Sequence, residues 1–289
     1  METLLAHSFD YLSSYEPSKI RKGLRQVEGL LAQICLSKSR ASAAAADRRR
    51  SLLSFDAPQP VPKSLSELRD DPAFREFFKL QESFQWNVAM RLVACLEHLL
   101  GRGSNGTNDM LIVCTLDLIQ GALLLHPPSR TLFCREIYMN LLLDLLDPIN
   151  CPAIQSATLL TLVTALLDCP ANTRTFENLD GLLTVTSLFK QRATSREVKL
   201  KLVEFLYFYL MPETPVLANG ASSPGLQRSP SKLSRNSHGS RPGSEGGKQM
   251  PRDTRTTDEK QALLGRYLNN VEDLVEDLKE TAPFGATVY

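Results

Sequence analysis

Three apolar stretches of this chain each close on a proline, and the register in which they do so limits the fold more than any other feature. They are Leu116 to Pro127 (LDLIQGALLLHP), Leu159 to Pro170 (LLTLVTALLDCP) and Lys201 to Pro212 (KLVEFLYFYLMP). Their terminal prolines stand 43 and 42 residues apart. Each stretch has helical spacing, and between them lie two similar lead-ins. Ser129-Arg130-Thr131-Leu132-Phe133 precedes Leu141 to Leu146, and Thr173-Arg174-Thr175-Phe176 precedes Leu182 to Phe189. A helix this apolar cannot bury its face alone, whereas neighbours stacked in register bury it in a continuous core.

A period in the low forties built only of helices is the size of an armadillo or HEAT unit. The lead-in from Asn172 to Leu182, with its Arg174, Phe176 and Gly181, resembles the start of an armadillo repeat. The expected fold is therefore all-α: a right-handed armadillo/HEAT-like solenoid whose core takes in Leu123, Leu124, Leu166, Leu167, Leu206 and Tyr209. Outside the repeat, Ile20, Leu24, Val27, Leu31 and Ile34 recur at three and four after Pro17 and mark a further helix. A second helical run reaches from Phe74 through Phe77, Phe78 and Phe84 to Trp86, Met90, Val93 and Leu96. No run alternates with period two, so strand content is expected near zero.

The chain divides on composition. Residues 1–212 read as the helical repeat domain, interrupted at 37–64 by an alanine run, Arg48-Arg49-Arg50 and prolines that predict an exposed insertion. Residues 213–257, rich in Ser, Gly, Pro and Arg, lack the apolar surface to offset ordering and predict a disordered linker. Residues 258–289 hold an amphipathic helix, expected over Asp258 to Glu280, and a tail. The stripe Leu264, Leu268, Val271, Val275 and Leu278 is too apolar to stay in water and marks a docking element, in cis on the repeat domain or in trans on a partner.

Charge is balanced over the 289 residues, at a formal +1, but not locally. Lys19 to Arg50 is basic and Asp258 to Glu280 acidic, so the two ends attract each other or different partners. The basic residues of the first helix lie opposite its apolar stripe and lack interleaved aromatics, which argues against nucleic acid. Met1 to Ser14 has no basic start followed by an apolar run, and no apolar stretch reaches the ~18–20 residues of a membrane span. An intracellular protein is expected, with its six cysteines reduced and acting as small buried hydrophobes.

No catalytic constellation emerges. The four histidines are scattered, and Cys134-Arg135 sits within a helical pattern with no glycine loop to cradle a phosphate. No glycine-rich loop ends in Lys-Ser or Lys-Thr, and no cysteines or histidines share metal-ligand spacing. Catalytic, cofactor and metal residues are expected to be none. The phosphorylation candidates are Ser229, in Ser-Pro-Ser-Lys, Ser223 before Pro224, and Ser51 after three arginines.

Two longer stretches carry a family resemblance. FENLDGLLTVTSLFK with VKLKLVEFLYFYLMPE, between Phe176 and Glu213, and EKQALLGRYLNNVEDLVEDLKETAPFG, Glu259 to Gly285, resemble the fungal cell division control protein 14 family of the septation initiation network. That family is distinct from the dual-specificity phosphatase sharing its historical name. The resemblance implies a non-catalytic regulatory or scaffold subunit. It would bind a germinal-centre-class protein kinase and support that kinase's activity and spindle-pole-body placement in cytokinesis, in the cytoplasm. The residues alone also allow an armadillo-like adaptor for another cytoskeletal or trafficking complex.

Overall fold

The computed structural model describes residues 1–36, 61–101, 106–213, 254–269, 271–272 and 276. The protein is all-α among these residues, with a lone antiparallel bridge between Leu36 and Pro62 and no strand.

Four helices form the central row: α2 (Pro17–Cys35), α6 (Asp109–Leu125), α8 (Pro152–Leu166) and α11 (Arg196–Leu210), each packed on the next. α1 (Glu2–Leu12) covers α2 and touches α5 (Val88–Leu100), which lies along α6. The short α3 (Leu65–Asp70) and α4 (Pro72–Gln81) precede α5. A 3-10 helix, Pro127–Cys134, follows α6 and packs on α9 (Pro170–Asn178), which follows α8. Outside these lie α7 (Glu136–Asp144) and α10 (Gly181–Lys190), and α12 (Thr257–Leu264) rests on α11.

Two of the three prolines, Pro127 and Pro170, mark equivalent corners, whereas Met211 before Pro212 differs at φ −59° and ψ 141°. His126 and Cys169 share φ −131° and ψ 80°, and the proline after each opens the next helix, where its missing N–H leaves no bond unmade. Phe133 and Phe176, carried by the two following helices, are both fully buried. Arg130 donates to the Leu167 carbonyl at 2.8 Å and lies 3.6 Å from Asp168, just past the end of α8. One repeat later, Arg174 bonds Glu213, just past the end of α11. Asn172 ties the two levels together by donating to the Arg130 carbonyl at 2.7 Å.

α8 is buried on nearly every side, which explains its weak amphipathicity. Its three buried threonines are satisfied, because the Thr158, Thr161 and Thr164 hydroxyls donate to carbonyls one turn back at 2.7–2.9 Å. At the α9–α10 corner Asp180 takes a left-handed φ of 56°, and Gly181 packs so closely that a Cβ there would lie 2.3 Å from the Phe176 ring.

Several expectations need correction. Leu123, Leu166, Leu206 and Tyr209 are buried, but Leu124 is 52% exposed because the buried face of α6 runs through Leu116, Ile119 and Leu123. Leu167 is half-buried, since α8 has ended and Arg130 holds its carbonyl. The run from Phe74 to Leu96 is two helices, with Phe84 exposed between them and the Asn87 side chain capping α5 at Met90 N–H. Only Cys95 among the six cysteines is fully buried; the others are half-buried and all are free thiols.

The insertion expected at 37–64 closes earlier than its composition suggested. Lys63 N–H donates to the Cys35 carbonyl at 2.8 Å, while its ammonium bonds the Ile34 carbonyl and pairs with Asp71. Ser64 then caps α3 through a reciprocal box with Glu67. Residues 37–60 lie outside the described residues, and so does the expected phosphorylation candidate Ser51.

Candidate docking site of the C-terminal segment

The apolar stripe expected near the C-terminus folds back on the chain's own helices. Leu264, Leu268 and Val271 are buried in the common core, with Leu263 and Tyr267 packed beside them. Val275 and Leu278 lie outside the described residues, as do Ser223 and Ser229.

α12 begins with a full capping box: Thr256 Oγ1 accepts from Glu259 N–H, and Glu259 accepts from Thr256 N–H at 2.8 Å. The single helix expected over Asp258 to Glu280 is not found, because α12 stops at Leu264. Gly265 takes the C-cap, its N–H bonding the Gln261 carbonyl at 2.8 Å, and a turn through Tyr267 brings Leu268 inward. Glycine forfeits helix propensity by about 1 kcal/mol and gives the chain its turning point here. Beyond the turn, Lys190 of α10 donates to the Tyr267 carbonyl at 2.5 Å.

Charge sets the register. Lys260 projects from α12 into the protein, where its ammonium donates to the Met211 carbonyl at 2.9 Å and sits 3.2 Å from Glu213. It also stands 5.2 Å from the centre of the Tyr209 ring. Glu213 accepts from Arg174 and from the Arg255 N–H at 2.9 Å, and its own N–H donates to the Arg255 carbonyl at 3.1 Å. Glu177 accepts from the Tyr209 hydroxyl at 2.8 Å and lies 3.1 Å from Arg255 and 3.3 Å from Arg174. Glu213, Glu177 and Lys260 are all buried in this network.

Three cations thus meet two carboxylates away from water. Burial pushes the Glu177 carboxyl above the usual range, against the pull of Tyr209 and Arg174. Burial likewise pushes the Lys260 ammonium down, against the support of Glu213. The Tyr209 hydroxyl is raised by burial and then by Glu177. Such clusters add little net stability, yet removing a member so that a buried charge is left uncompensated costs about 3–5 kcal/mol. Adhesion therefore comes from the three apolar residues, each worth about 1.5–3 kcal/mol when buried. The charges decide where the segment lands.

Of the linker expected at 213–257, residue 213 and residues 254–257 are described. Glu213 is a hub of the network, and Thr254 to Thr257 lead into α12. Residues 214–253 lie outside the described residues.

Cys134 and His126 sit in buried surroundings. Cys134 donates to Asn172 Oδ1 at 2.9 Å, and its thiol is pushed up to about 11 by burial and then by neighbouring Cys169, the reverse of nucleophile activation. His126 is buried against Ser129 at 2.7 Å, and burial holds its imidazole below its ordinary range. No three His, Cys, Asp or Glu side chains among the described residues converge as metal ligands. No helix among them is long and apolar enough to cross a membrane.

Fold and site define a class: an all-helical chain whose core helices recur in register and whose C-terminal segment is clasped onto them by leucines and a buried charge network. The chain belongs to the family of cell division control protein 14, the SIN component, whose model matches residues 1–284. It is 30% identical over 294 residues to Cell division control protein 14 of Schizosaccharomyces pombe, covering 99% of this chain and 97% of that protein. Its place is thus in the septation initiation network, the machinery of cell division and cytokinesis. No solved structure matches the chain.

Proposed function

We propose that the chain is a non-catalytic regulatory subunit that binds a germinal-centre-class protein kinase of the septation network. It supports that kinase's activity and its placement at the spindle pole body, working from the cytoplasm. Family membership over residues 1–284 carries this reading. The raised Cys134 thiol and the wholly structural surroundings of His126 favour a binding role over a catalytic one.

The scaffold, in this proposal, is a right-handed armadillo/HEAT-like solenoid over residues 1–212, supported by the paired corners at His126 and Cys169. Leu264, Leu268 and Val271 dock the C-terminal segment, which Val275 and Leu278 extend, while Ser229, Ser223 and Ser51 are the sites open to kinases. Purifying the tagged full chain from dividing cells tests the function. A stoichiometric protein kinase in the eluate, lost together with spindle-pole signal when the chain is deleted, is the expected result. Stoichiometric coat or filament proteins in place of a kinase would sink it in favour of a cytoskeletal or trafficking adaptor.

A further inference from the structure

A groove of about 590 Å³ runs between α7 and α10, within the ~300–1,000 Å³ of typical recognition clefts. Leu143, Leu146 and Leu188 form its buried floor, and Leu183 on its wall is 45% exposed. Helical register extends the apolar surface. Ile137, Asn140 and Asp144 recur at three and four along one face of α7, and Ile137 is 60% exposed. Just past the end of that helix Ile149 is 92% exposed. Isolated apolar side chains on a surface are ordinary, but Leu183 on the wall of a ready-made groove, with Ile137 further along the helix face that lines it, marks a contact surface.

The charge of the groove is one-sided. Asp144 and Asp147 are the charged residues among those lining it, and neither joins an ion pair among the described residues. Asp147 accepts the Ile149 N–H at 2.8 Å, which leaves its negative charge in place. The facing wall offers Thr184, Ser187 and Gln191. Lys190, the cation that closes α10, is drawn away to the Tyr267 carbonyl.

We propose that this groove docks an amphipathic helical segment of a protein partner, carrying lysines or arginines beside a leucine or isoleucine stripe. The helical walls suit a helix laid into the groove, and the uncompensated carboxylates select its charge. The chain's own C-terminal segment does not suit it, being acidic from Asp258 to Glu280 and seated on α11. The inference rests on the reading of the chain as a partner-binding subunit. It is tested without the kinase, so failure of the groove is distinguishable from failure of that reading.

The probe is a fluorescent helical peptide with leucines on one face and lysines on the other, paired with a twin in which every lysine is glutamate. Binding to the full chain is read by anisotropy at about 0.15 M salt, where longer-range attraction is screened, and mapped by amide exchange. The lysine peptide should bind at least tenfold tighter than its twin and protect residues 140–147 and 181–191. Asp144→Lys with Asp147→Lys should invert that preference, and Leu183→Asp should weaken the lysine peptide at least tenfold. Leu200→Asp, exposed on α11, should change neither. A lysine preference that survives the charge inversion, or protection elsewhere, overturns the proposal. So does a tenfold gain in peptide affinity on deleting residues 214–253, because the chain's own basic segment would then be the occupant.

Discussion

Glu213 and Lys260 face each other across 3.2 Å, yet removing one should matter far more than removing the other. With Glu213→Ala, Arg174, Arg255 and Lys260 remain buried or half-buried around the single carboxylate of Glu177. An uncompensated buried charge of this kind costs about 3–5 kcal/mol. Lys260→Met removes one cation from a cluster that already has an excess of them, and keeps an apolar stem over the Tyr209 ring. Its main loss is the donor to the Met211 carbonyl, about 1–3 kcal/mol for a buried group left unpaired. A difference of about 2 kcal/mol corresponds to a factor of about 30 in an opening equilibrium. Amide exchange at Ala262 to Leu264 reads it directly: Glu213→Ala should open this segment roughly 30-fold more often than Lys260→Met at neutral pH. The pH response separates them further. Burial depresses the Lys260 pKa in the folded state, so its contribution is greatest above 10.5 and is lost as pH falls through the depressed value. Wild type should therefore gain on Lys260→Met as pH rises from neutral towards 10.5. Equal opening in the two variants, or a wild-type advantage that shrinks with rising pH, refutes the assignment of register to an overcharged cluster.

Three further outcomes are expected. Gly181→Ala forces a methyl to within 2.3 Å of the buried Phe176 ring, and should cost at least the ~1–3 kcal/mol typical of overpacking; an unchanged thermal midpoint contradicts the packing described. Leu268→Asp with Val271→Asp places two carboxylates in the core contact of the C-terminal segment, so exchange protection over 257–268 should vanish while α8 stays protected. Retained protection would remove the docking role from these residues. The purified chain should show no phosphatase turnover, and Cys134→Ser should alter no activity; a turnover abolished by that substitution would reinstate Cys134 as a nucleophile.

The helical class and the corners were legible because both rest on local chemistry: apolar spacing at three and four, and prolines that open the next helix. Leu124 was misplaced because α6 is apolar on almost every side, so its pattern does not reveal which leucines face α8. The end of α12 was hidden by a stripe that continues past Gly265, although that glycine was its own warning. The charge network was missed entirely, yet one signal pointed to it. Lys260 stands four residues before Leu264 and eight before Leu268, on the apolar stripe itself, where a lysine needs a buried acceptor. No short-range rule names Glu213 as that acceptor, since the pairing spans the long segment after Pro212. The two exposed carboxylates of the α7–α10 groove carry no local signal of a site, and only the packing of α10 beside them shows the concavity.

The chain before and after residues 37–60, and before and after residues 214–253, meets at points that touch. Cys35 and Lys63 are joined by a backbone bond, as are Glu213 and Arg255, and each re-entry is pinned by a lysine reaching the carbonyl of a helix end. Each pair of flanks is therefore held together by the described body itself. Doubling the length of a closed loop adds only about 0.6 kcal/mol of closure entropy. Lengthening the chain between either pair of bonded flanks should therefore move the thermal midpoint little. The same two gates are natural sockets for a grafted fluorescent domain or protease site, through which the protein can be tagged internally with both of its ends untouched.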